Sequence, residues 1–107
     1  MSQSDVRKGE NESFFREVNE RLEDRAAVRS TGRMFTAVCE CAREECAERI
    51  EISFEEYERV RSAPKAFVIV PGHSDPSCER VVSWRAGYEI VEKVGDAGAV
   101  AEREDPR

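Results

Sequence analysis

The segment Cys39-Glu40-Cys41-Ala42-Arg43-Glu44-Glu45-Cys46 sets three of the chain's four cysteines within eight residues, the one piece of specific chemistry in the sequence. The only histidine, His73, follows in Val70-Pro71-Gly72-His73. Three thiols and one imidazole are the ligand set of a closed structural zinc site. In an extended strand, residues i and i+2 share a face with alpha carbons about 7 Å apart, so Cys39 and Cys41 can turn both sulfurs toward one ion. Tetrahedral zinc with Zn–S near 2.3 Å holds neighbouring sulfurs about 3.8 Å apart. The four residues between Cys41 and Cys46 are enough to turn the chain and return a third thiolate. A disulfide between Cys39 and Cys41 would close a strained small ring, so the spacing favours metal over a bridge; an iron–sulfur cluster or free thiols are the lesser alternatives, since the spacing matches no ferredoxin-like run.

Two residues compete for the fourth position. Pro71-Gly72 predicts a tight turn that aims His73 at the cysteine loop. Cys78 lies in the polar loop of Asp75, Pro76 and Ser77, and an all-thiolate site is equally acceptable to zinc. His73 is the preferred ligand, because a sole histidine after a rigid turn has few structural roles to explain it.

With 107 residues, 39% hydrophobic and 37% charged, the chain reads as one small domain with a modest core. A metal cross-link carries more weight in a core of that size. The net charge of −6 argues against nucleic acid as a partner. Residues 1–13 lack the apolar run of a secretory signal, and no stretch approaches the roughly 18 apolar residues of a membrane span. A reducing cytoplasm is therefore the expected location, where clustered cysteines more often bind metal than pair.

The pattern predicts an α+β fold: a small antiparallel sheet of about five strands, an N-terminal helix and one short connecting helix. Residues 1–10 read as a disordered arm, 11–94 as a single zinc-binding domain and 95–107 as a flexible acidic tail carrying at most one short helix. The first helix is expected to start near Asn11 and to bury Phe14, Phe15, Val18, Leu22 and Ala26 along one face; Ser30-Thr31-Gly32 reads as a break. Strands are expected at residues 33–39 and 47–53, joined into a hairpin whose tip is the metal knuckle. Met34, Thr36 and Val38 share one face of the first strand, and Ile50 and Ile52 point the same way on the second. Ser53-Phe54-Glu55-Glu56 has the form of a capping box opening a helix that stops before Pro64. Residues 66–70 read as the best-buried strand, and residues 79–85 and 88–93 as a hairpin across Ala86-Gly87. Val82, Trp84, Tyr88 and Ile90 are expected to contribute to the core.

Beyond these elements, Phe15-Arg16-Glu17-Val18-Asn19-Glu20-Arg21, the cysteine loop and Phe54-Glu55-Glu56-Tyr57-Glu58-Arg59-Val60-Arg61 together resemble a family of small, uncharacterised bacterial proteins. Phe67-Val68-Ile69-Val70-Pro71-Gly72-His73, Glu79-Arg80-Val81-Val82 and Glu89-Ile90-Val91-Glu92-Lys93 extend that resemblance over nearly the whole chain after residue 11. It implies a metal site on Cys39, Cys41, Cys46 and His73, with Cys78 peculiar to this sequence, and it implies no activity. The C-x-C-x4-C spacing alone is similar to the post-SET zinc motif of lysine methyltransferases, in which three cysteines recruit a remote fourth ligand.

Function divides into three classes. An enzyme is disfavoured: a metal-bound His73 leaves no histidine for acid–base work, and there is no Gly-rich phosphate loop. Glu40 could act as a base beside an open metal position, but its expected role is an exposed knuckle residue facing water. A zinc-thiolate redox sensor, with Cys78 as resolving thiol, is the alternative reading. The preferred one is an accessory or regulatory interaction module. In it, Phe14 or Phe15 faces a protein partner or a second copy in a homodimer, although both phenylalanines have a simpler place packed on the sheet.

Overall fold

The computed structural model describes residues 3–29, 34–43 and 45–106. The fold is α+β, with helices α1 (Gln3–Arg29), α2 (Phe54–Arg61) and α3 (Gly95–Arg103) and strands β1 (Met34–Val38), β2 (Arg49–Ser53), β3 (Ala66–Ile69), β4 (Glu79–Arg85) and β5 (Tyr88–Lys93). The five strands form two antiparallel sheets, β1-β2 and β3-β5-β4, rather than one. No helix among the described residues is long and apolar enough to cross a membrane.

Local chemistry accounts for most boundaries. Ser53 Oγ accepts from Glu56 N at 3.0 Å and caps α2. Only that half of the box forms, because the Glu56 carboxylate turns to Arg59, Arg85 and Tyr88. β4 and β5 meet across the two-residue loop Ala86-Gly87, with Gly87 at φ 87°. β1 and β2 bury Phe35, Ala37, Ile50 and Ile52, leaving Met34 and Thr36 on the outer face. β3 is buried at every position.

A bulge between Val81 and Ser83 interrupts the alternation of β4, an edge strand. Val82 and Trp84 face outward there, 45% and 69% exposed, instead of entering the core. Tyr88 and Ile90 are buried as expected.

Helix α1 departs furthest from expectation. It begins at Gln3, so residues 3–10 are helical rather than an arm. Its buried stripe is Gly9, Glu12, Arg16, Asn19 and Glu23, with Ser13 beside it. Phe14 is 60% exposed, and Phe15, Val18 and Leu22 are half-buried. The Ala26 side chain and residues 30–32 lie outside the described residues.

The polar face turns inward because remote partners receive it, which is what makes burial of polar groups tolerable. Arg16 donates to Pro64 O and to Ala101 O at 2.9 Å, and its guanidinium carbon sits 4.4 Å from the Phe67 ring centroid. Asn19 donates to Val38 O and accepts from Val38 N, at 2.8 and 2.7 Å. Glu12 shares the Lys93 ammonium with Glu79, and all three side chains are fully enclosed.

α3 occupies most of the stretch expected as a tail, burying Ala97, Gly98, Val100 and Ala101. A Cβ on Gly9 would lie 3.1 Å from Val100 Cβ, so the glycine lets α1 and α3 approach.

Burial favours the neutral forms within this enclosed triad, and it holds Lys93 well below its ordinary value of 10.5. Burial pushes Glu79 up to about 7, from an ordinary value of 4.5. A value raised on folding adds stability that is fully present below about 4.5 and is lost as pH rises through about 7. The wild type should therefore gain on the order of 1–3 kcal/mol relative to Glu79→Gln as pH falls across that window, read by urea unfolding at each pH. A pH-independent difference would contradict this account of the triad.

Candidate metal centre

β1 runs on without a break into Cys39-Glu40-Cys41, and β2 is reached through Cys46 and Glu48. Cys39 N donates to Glu48 O at 2.8 Å, extending the hairpin ladder, and Cys46 N closes a turn on Arg43 O at 3.1 Å. From the other sheet, β3 ends in Val70-Pro71-Gly72-His73. His73 N donates to Val70 O at 3.0 Å, with Gly72 at φ 87°, the left-handed third position that such a turn requires. Gly72 N also donates to the Glu89 carboxylate at 3.1 Å, fastening the turn to β5.

The two loops bring Cys39, Cys41, Cys46 and His73 together, with one potential ligand atom from each inside a mutual span of 4.8 Å. His73 Nδ1 lies 3.7 Å from Cys39 Sγ and 3.6 Å from Cys46 Sγ. A tetrahedral ion with bonds near 2.3 Å to sulfur and 2.0–2.1 Å to nitrogen would hold S and N about 3.6 Å apart. These residues could therefore hold a metal ion.

The surroundings suit thiolates. Val70 N donates to Cys39 Sγ at 3.2 Å, the Arg43 N–H reaches Cys41 and the Glu48 N–H reaches Cys46. A hydrogen bond from Cys39, aided by Arg43, His73 and Cys46, pulls the Cys41 thiol down to about 5, against the cost of its burial. Cys39, the donor in that pair and itself buried, is pushed up, and burial raises Cys46. All four cysteines are free thiols.

Cys78, the rival fourth ligand, belongs to a different cluster. It is buried beside the carboxylates of Glu12 and Glu79, against which the Lys93 ammonium is packed.

Several residues important to the site carry no sequence signal of their own. The Glu48 carboxylate sits 2.9 Å from His73 Nε2, the ring nitrogen turned away from the sulfurs. That pairing fixes which nitrogen faces the cluster.

Glu40, whose place in the knuckle suggests that it faces water, is instead fully buried. Strand alternation sends Cys39 and Cys41 to one side and Glu40 to the other, and that second side is covered by helices. Its carboxylate accepts from Asn19 Nδ2 at 2.8 Å, Tyr57 OH at 2.9 Å and Val68 N at 3.0 Å. Glu40 N returns a bond to Val68 O at 2.8 Å, tying the knuckle to β3. Burial pushes the Glu40 carboxyl upward, while its three donors and nearby Arg16 oppose the shift.

Comparisons with protein-family models, with curated proteins and with solved structures found no match for this chain.

Glu40→Ala strands three buried donors at once. It should destabilise the protein by about 3–5 kcal/mol, well beyond an ordinary truncation. Glu40→Gln keeps an acceptor oxygen and should cost less. Equal, small losses in urea unfolding for both variants would contradict the role assigned to this carboxylate.

Proposed function

We propose that the chain binds one zinc ion through Cys39, Cys41, Cys46 and His73, and that the ion is structural. The observation that carries this reading is the pair of sulfur–nitrogen distances, 3.7 and 3.6 Å, which match tetrahedral zinc. Thiolate and imidazole donors also favour zinc over magnesium or calcium, which prefer oxygen. The resemblance of Pro71-Gly72-His73 to a family pattern supports the same four ligands.

Four protein ligands fill a tetrahedral shell and leave no position for a reactive water, so the function we assign is non-enzymatic. In this reading the ion staples the β1-β2 hairpin to the end of β3, so that a domain with a modest core keeps one shape. The stapled domain then serves as an accessory or regulatory interaction module in a reducing cytoplasm. Phe14 and Trp84, both more than half exposed, favour a protein partner or a second copy over a nucleic acid or a membrane.

Elemental analysis of the native protein should give one zinc per chain. Structural sites of this kind supply about 10–16 kcal/mol of apparent binding energy. A strong chelator, or Cys41→Ser, should therefore melt the hairpin and lower the thermal midpoint by tens of degrees. Absence of zinc together with a melting curve indifferent to chelator would overturn the proposal.

A further inference from the structure

We propose that Cys46 is the point at which a small, uncharged two-electron oxidant of the hydrogen peroxide class enters the cluster, and that its oxidation expels the metal. The inference rests on the zinc reading above and adds to it a reaction site and a substrate class. Access separates the three thiols. Cys39 and Cys41 are fully buried, whereas Cys46 is half-buried. Cys46 lines an open cleft of about 260 Å³ with Arg43, Glu45, Glu48 and His73. A metal-held thiolate remains nucleophilic, so the sulfur that solvent reaches is the one that reacts.

The cleft also selects. Glu45 and Glu48 outnumber Arg43, which disfavours anionic oxidants such as glutathione disulfide and leaves neutral peroxide unhindered.

The chemistry closes within the cluster. Cys46 Sγ attacks one peroxide oxygen; an S–O bond forms, the O–O bond breaks, and the departing hydroxide takes a proton from solvent. A second thiolate then attacks the Cys46 sulfur, forming S–S and breaking S–O, and the second hydroxide is protonated in turn. Two thiolates, one peroxide and two protons become one disulfide and two waters. Cys39 and Cys41 are the available resolving thiols, with their sulfurs inside the same 4.8 Å span as Cys46. Cys78, which the sequence suggests for that role, lies instead beside Glu12 and Glu79. Losing two of four ligands releases the ion.

The test uses the zinc-loaded 107-residue chain, treated with low equivalents of hydrogen peroxide while a chromogenic chelator reports free zinc. Tryptic mapping after alkylation identifies the bond, because cleavage after Arg33, Arg43 and Arg49 separates Cys39 and Cys41 from Cys46. Zinc release should track a cross-link between peptides 34–43 and 44–49, with Cys78 still reduced, and should reverse with reductant and zinc. Cys78→Ala should release zinc at the same rate, and glutathione disulfide should act at least tenfold more slowly than peroxide. A cross-link to Cys78, zinc loss with Cys46 still reduced, or equal rates for the two oxidants would overturn the proposal. A chain that holds no zinc before treatment defeats the metal reading itself. The order of thiol oxidation in the same map then decides separately whether Cys46 is the point of entry.

Discussion

The Glu40 carboxylate is the interaction on which the remaining structure depends. It sits between two candidate ligands in sequence and accepts from α1 through Asn19, from α2 through Tyr57 and from β3 through the Val68 N–H. Strand parity makes this arrangement indivisible. If Cys39 and Cys41 face the metal position, Glu40 must face inward, and a carboxylate facing inward needs three donors waiting for it. The packing of two helices and the presentation of two thiols are thus one geometric condition. A buried carboxylate is costly unless satisfied, so alternative packings that lose any of its donors are penalised.

The same economy governs α1. The helix is attached by hydrogen bonds and ion pairs: Arg16 to the carbonyls of Pro64 and Ala101, Asn19 to Val38, and Glu12 to Lys93. Such contacts specify position more than they add stability. In a 107-residue chain with 39% hydrophobic content, that choice leaves a shortfall which the proposed zinc staple would cover. It also frees the apolar side of the helix. Phe14 points outward, with the edge of its ring against Phe15, 5.7 Å between centroids.

What was legible in the sequence was short-range. The spacing of Cys39, Cys41 and Cys46, the Pro71-Gly72 turn, the Ser53 cap and the two-residue loop at Ala86-Gly87 each depend on neighbours within a few positions. The ends of β4 and β5 fall at the expected residues for that reason. What was not legible depended on remote partners. The spacing of Phe14, Phe15, Val18 and Leu22 is a sound helical stripe, but it cannot reveal that Lys93, Ala101 and Val38 reward the polar stripe more. Alternation places Glu40 opposite the cysteines without saying which side is covered. Alternation assigns Trp84 to the core, but a bulge between Val81 and Ser83 shifts the register of this edge strand. A cysteine pattern names candidate ligands and leaves their partners unnamed, as Glu48 shows at His73.

In the proposed site four side chains, and no solvent molecule, surround one zinc ion. X-ray absorption at the zinc edge of the purified protein tests it most directly. The account predicts a shell of three sulfurs near 2.3 Å and one nitrogen at about 2.0–2.1 Å, with the imidazole scattering of a single histidine. A four-sulfur shell, an oxygen ligand in place of the nitrogen, or no zinc signal at all would contradict it.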